Sequence, residues 1–125
     1  MDLSKPAPQS VPRSFKGHLA TATLLPDRVV FRRPWLTRLG GNRSGEVFLA
    51  DVIAVNAVEP TRWVNGHVHV QTAADAGPLR IASRDTQRAV AGNRRAIMFT
   101  WGQRETFKRF VAAVQEAWEA QRSGL

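Results

Sequence analysis

The chain has no cysteine. Disulfide scaffolds, cysteine nucleophiles and thiolate metal sites are therefore excluded. Small secreted domains usually lean on disulfides, so a reducing compartment fits better. Long apolar runs are missing too. The longest, from Leu19 to Leu25, falls far short of the ~20 residues that span a bilayer. The opening residues, MDLSKPAPQSVPRS, lack the apolar centre of a signal peptide. Together these absences predict a cytoplasmic protein with no transmembrane segment.

Catalytic signatures are equally scarce. There is no G-x-S-x-G elbow, no P-loop and no GxGxxG. The 10 acidic residues fall mostly in predicted turns or on the solvent face of a predicted helix, where a turn aspartate serves the turn itself. His67 and His69 stand at i, i+2 and share one face of a strand. Two imidazoles there hold a metal only if a third ligand arrives, and no carboxylate lies near in sequence. The simpler expectation is two exposed polar positions on a half-buried strand. The chain is thus expected to be no enzyme, with no cofactor and no metal.

Lysine is the last shortage. Of 18 basic residues only Lys5, Lys16 and Lys108 are lysine; the rest are arginine. Arginine binds phosphate and carboxylate in bidentate fashion, but a GC-rich genome also encodes it by default. The formal charge of +8 attracts polyanions at low salt whatever its origin.

What is present describes one ordinary domain. A chain of 125 residues, 43% apolar and 22% charged, can bury a single core. Residues 1–14 carry Pro6, Pro8 and Pro12 and are expected to form a disordered Pro/Ser-rich tail; residues 15–122 form the domain. A hairpin is predicted at ATATLL-PD-RVVFR, where Thr21 and Thr23 alternate with alanine and leucine. Residues 33–45 read as a loop. Glu46 to Leu49 forms a short strand. Residues 52–58 form a strand that is apolar on both faces, hence more buried than its neighbours. His67, His69 and Gln71 alternate with Val68 and Val70, as in a half-exposed strand. Further strands are predicted at Leu79 to Ser83 and over residues 96–100. Phe107, Phe110, Val111, Val114, Ala117 and Trp118 follow helical spacing, which predicts a helix over 103–121. Short turns between consecutive strands imply antiparallel pairing.

The expected fold class is therefore α+β, mainly β, with six or seven antiparallel strands and one C-terminal amphipathic helix. This layout resembles the pleckstrin-homology-like fold, two near-orthogonal sheets capped by a helix. The residues themselves resemble an actinobacterial family of unknown function with that fold. The likeness rests on Leu25-Pro26-Asp27 leading to Val29-Val30-Phe31, on Val52-Ile53-Ala54-Val55 before Glu59-Pro60, on Val64-Asn65-Gly66, and on Ile97-Met98-Phe99-Thr100 before Phe107 and Val111. It covers about residues 15–120. The resemblance implies no catalytic residues and no ligand. Members are sometimes fused to a short C-terminal oligomerisation domain, expected to be absent from a chain ending at Leu125.

Two basic loops are the candidate polyanion or partner site. The first holds Arg32, Arg33, Trp35, Arg38 and Arg43 around Gly40-Gly41; the second holds Arg84, Arg88, Arg94 and Arg95. Glycines let backbone amides approach an anion, and tryptophan can stack on a base or enter a lipid interface. Trp63 and Trp101 are candidate partner-facing aromatics, since exposed tryptophans recur at interface hot spots. Phosphoinositide binding is not expected, because the hairpin loop Leu25-Pro26-Asp27-Arg28 carries one arginine. The leading functional expectation is a protein–protein adaptor or self-associating module in an actinobacterium or its phage. The alternative is a binder of nucleic acid or anionic membrane through the arginine loops.

Overall fold

A computed structural model describes residues 12–33, 45–73 and 95–123. Seven strands and one long helix lie within them: β1 (Arg13–Gly17), β2 (Ala20–Leu24), β3 (Arg28–Arg32), β4 (Gly45–Phe48), β5 (Val52–Val58), β6 (Gly66–Thr72), β7 (Ala96–Phe99) and α1 (Arg104–Arg122). The strands form two antiparallel sheets, β1-β2-β3-β4 and β5-β6-β7. The strand expected at Leu79 to Ser83 lies outside the described residues.

The first sheet is built on alternation of size. Across it, Phe15 pairs with Ala22, Ala22 with Phe31, and Phe31 with Gly45. Each large ring thus stands beside a small neighbour, which lets the inner face close without voids. A parallel row runs Leu24, Val29, Val47, all buried. The predicted hairpin is β2–β3. It is preceded by a strand that the proline-rich expectation for residues 1–14 did not include: β1 begins at Arg13, inside that expected tail. The loop joining the first two strands is consequently His18-Leu19, not Leu25 to Arg28.

Leu19 occupies that turn with φ of 58° and is 56% exposed. A left-handed backbone costs an L-residue about 1–2 kcal/mol, least for asparagine and glycine. Leu19→Asn is therefore expected to stabilise the protein by about 1 kcal/mol. Urea unfolding checks this; an unchanged or lowered midpoint would show that the leucine side chain holds the turn in place.

In the second sheet the burial order inverts the expectation. β6 is the buried strand and β5 the half-exposed one. β6 runs between β5 and β7, so both its edges are hydrogen-bonded. His67 and His69 are only 1% and 0% exposed. They share their face with Asn56, Ala96 and Met98 of the flanking strands. β5 carries a bulge between Val52 and Ala54, and Ile53 turns outward there.

The helix matches its expected span within a residue or two. Thr100 starts the segment with a capping box: its amide bonds to the Gln103 side chain at 3.0 Å, and its own side chain caps the Gln103 amide. Phe107, Phe110, Ala113 and Val114 are buried. Phe110 meets Phe15 of the first sheet at 5.2 Å between ring centroids and Phe99 of the second at 6.0 Å. The core is the space where these three elements converge. Trp118 fastens the far end, its indole N–H donating to the Val52 carbonyl at 3.2 Å.

Candidate functional site

The β5–β6 connection is short and internally tied. The strand stops at Glu59-Pro60, since proline has no N–H for a ladder. Thr61 then organises the turn. Its hydroxyl oxygen accepts from the amides of Trp63 at 3.2 Å and Val64 at 3.0 Å. Its own amide donates to the Val64 carbonyl at 2.9 Å. This is a threonine-centred turn. It holds Trp63 at the apex, 89% exposed, the most exposed of the large apolar side chains described.

A second tryptophan stands beside this turn. Trp101 opens the short 3-10 turn before α1 and is 38% exposed. The Arg62 guanidinium lies 5.8 Å from its ring centroid and that of Arg104 lies 4.2 Å away. Arg104 is further fixed by donating to the Trp101 carbonyl at 2.9 Å. Residues some forty positions apart thus gather two guanidiniums at the Trp101 indole, with Trp63 the next residue after Arg62. Among the described residues neither Arg62 nor Arg104 joins an ion pair; those that form link Arg28 to Asp27 and Glu46, and Lys108 to Glu105. The adjacency of Arg62 and Trp63 is visible in sequence. Arg104 is not, because only the fold brings it over Trp101.

Most of the two arginine loops lies outside the described residues, Trp35, Arg38, Arg43, Arg84, Arg88 and Arg94 included. Arg32 is exposed at the end of β3 and borders an open depression with Thr21, Thr23 and Val30. Arg33 turns inward instead. It is 5% exposed and its guanidinium donates to the Ala96 carbonyl. Burial pulls its pKa below the usual arginine value. That bond joins the end of β3 to the start of β7, next to the half-buried Arg95. The point where the first loop leaves and the point where the second returns are therefore neighbours.

Arg28 is committed to its own surroundings. It bonds Asp27 at 3.0 Å and Glu46 at 3.1 Å and lies 4.8 Å from the Phe48 ring centroid. The Arg28 hydrogen bond holds the Asp27 carboxyl below its ordinary pKa, and its two carboxylate partners raise that of Arg28. Among the described residues no three histidine or acidic side chains gather as metal ligands, and no helix is long and apolar enough to cross a membrane. Compared with protein-family models, with curated proteins and with solved structures, the chain finds no match.

Proposed function

We propose that this chain is a non-enzymatic binding module of pleckstrin-homology-like type, akin to the actinobacterial family it resembles, and that it associates with a protein, first of all a second copy of itself, through the Trp63–Trp101 corner. The observation that carries this reading is Trp63. A fully presented indole on a turn already fixed by four hydrogen bonds involving Thr61 loses little conformational freedom on binding. Tryptophan and arginine are also the side chains that dominate interface hot spots. The two-sheet-plus-helix order supports the fold assignment, and an adaptor role in a bacterial or phage cytoplasm is the setting proposed for it.

The test is size-exclusion chromatography with light scattering at 50 and 500 mM NaCl, after nuclease treatment. A discrete oligomer at both salts is the expected result. Trp63→Ala should weaken it by about 2 kcal/mol, roughly 30-fold, with thermal stability unchanged because the side chain is solvent-facing. A monomer at both salts would exclude self-association and direct the corner to a different chain.

A second reading has one observation of its own. The Arg33–Ala96 bond ties the end of β3, where the first arginine-rich segment begins, to the start of β7, where the second ends. If those segments share one surface, they would bind nucleic acid or anionic membrane. Such binding releases counterions and falls steeply with salt. Nucleic acid carried at 50 mM and lost at 500 mM NaCl would promote this reading above the first. The turn between the first two strands, His18-Leu19, has no arginine or lysine, which counts against a phosphoinositide cradle there.

A further inference from the structure

Among the described residues the first sheet ends at β1, and the outer edge of that strand is covered at one end only. At Gly17 and His18 it meets β7: the His18 amide donates to the Met98 carbonyl at 2.8 Å. Toward Arg13, no strand among the described residues pairs with it. An open groove of about 580 Å³ lies there between the β1 edge and one stripe of α1. Phe15, seated on Phe110, borders the groove from the strand side. The helix wall is Arg109, Ala112, Ala113 and Glu116, the i, i+3, i+4, i+7 positions of one face. The two alanines leave space that longer side chains would occupy.

The lining of this groove is positive on balance, two arginines against one glutamate. Arg13 contributes from the strand and Arg109 from the helix. Among the described residues neither is ion-paired; Arg109 donates only to the Thr106 hydroxyl, at 3.3 Å. Glu116 lies about 10 Å further along the helix axis, at 1.5 Å per residue. A strand edge carries backbone donors and acceptors that another backbone satisfies best. A docking helix would leave them unmet, and a run of phosphates would pass Glu116.

We propose that this groove takes an extended acidic peptide, which adds as a short strand to the edge at residues 13–15 and sets carboxylates beside Arg13 and Arg109. The site is separate from the Trp63 corner, so either can fail without the other. Lys16 and Gly17 lie past the open part, which limits the added strand to a few residues. Specificity then comes from the flanking side chains, an acid beside each arginine and a neutral or basic residue facing Glu116.

The probe is a ten-residue alternating Thr-Glu peptide, capped at both ends, titrated into the 15N-labelled full chain. Amide shifts are expected at residues 13–15 and 109–116. The Thr-Gln counterpart should bind at least fivefold more weakly. Arg109→Glu should weaken the Thr-Glu peptide at least tenfold. Ala112→Trp fills the groove from an exposed helix position without altering charge, and should do the same, while Trp63→Ala leaves binding unchanged. Four results would overturn the proposal: no shifts at millimolar peptide; shifts confined to other residues; equal binding of the Thr-Gln peptide; or shifts at residues 13–15 that appear on concentrating the protein alone, which would assign the edge to a second copy.

Discussion

Phe110→Ala is expected to remove about 4 kcal/mol of folding free energy, the largest loss from any single side chain of the helix. The ring is 0% exposed and stands between Phe15 and Phe99, one from each sheet. Truncation forfeits the burial of the ring and leaves a cavity that two β-sheets and a helix cannot all close on. It also removes two tilted aromatic pairs, each contributing up to about 1 kcal/mol beyond area. A domain of this size has about 5–15 kcal/mol in total, so the variant should sit near the edge of folding at 37 °C. Urea unfolding by circular dichroism is the measurement, with a lowered midpoint and an unchanged slope. Phe110→Leu, which keeps most of the volume, should lose about a third as much. A loss under about 1 kcal/mol for the alanine variant would mean that α1 is not what joins the two sheets.

The contrast between α1 and β1 shows what a sequence reveals and what it hides. The helix is legible because Phe107, Phe110, Val111 and Val114 repeat at 3.6-residue spacing, a signal internal to the segment. The β2–β3 hairpin is legible for the same kind of reason, period two broken by Pro26-Asp27. β1 has no such internal signal. Between Pro12 and His18 only Phe15 is a large apolar residue, and the segment is a strand because β2 offers a partner. An edge strand takes its conformation from its neighbour.

The inversion of β5 and β6 has a related cause. Composition made residues 52–58 look central and made His67 and His69 look solvated. Position in the sheet decided otherwise, since β6 has a strand on each side and β5 on one among those described. The candidate sites divide along the same line. Trp63 and Trp101 could be picked out singly as interface residues. That Arg62 and Arg104 both lie over Trp101 follows only from the fold. Arg109 and Glu116 fall off the apolar spacing of the helix, which marks them as polar-face positions. The groove they border exists because an open strand edge runs beside them.

Gly66→Ala is expected to cost about 3 kcal/mol, and its origin is backbone geometry. A Cβ at Gly66 would stand 2.3 Å from the Pro60 nitrogen, 2.3 Å from the Val58 carbonyl oxygen and 2.6 Å from the Glu59 carbonyl carbon. All three are main-chain atoms of consecutive residues, so no side-chain rotation relieves the overlap. The strands must part where the Val58–His67 pairing begins, or the turn between them must shift. Gly17→Ala is the informative comparison. Its Cβ would meet the Met98 carbonyl oxygen at 2.5 Å and the Ile97 side chain at 2.7 Å. The Ile97 branch can swing away, so part of that clash relaxes and the loss should be smaller, about 2 kcal/mol. Thermal unfolding ranks the two: Gly66→Ala should lower Tm by roughly 10 °C or more and Gly17→Ala by less. The Gly66 variant should also disturb the proposed binding corner. Residues 61–65 hang between Pro60 and Gly66, and Thr61 holds Trp63 only while those two ends keep their spacing. Oligomer formation should therefore weaken in Gly66→Ala even at temperatures where the protein remains folded, whereas Gly17→Ala should leave it intact. Equal effects of the two glycine variants on association would break the link between this turn and the binding surface.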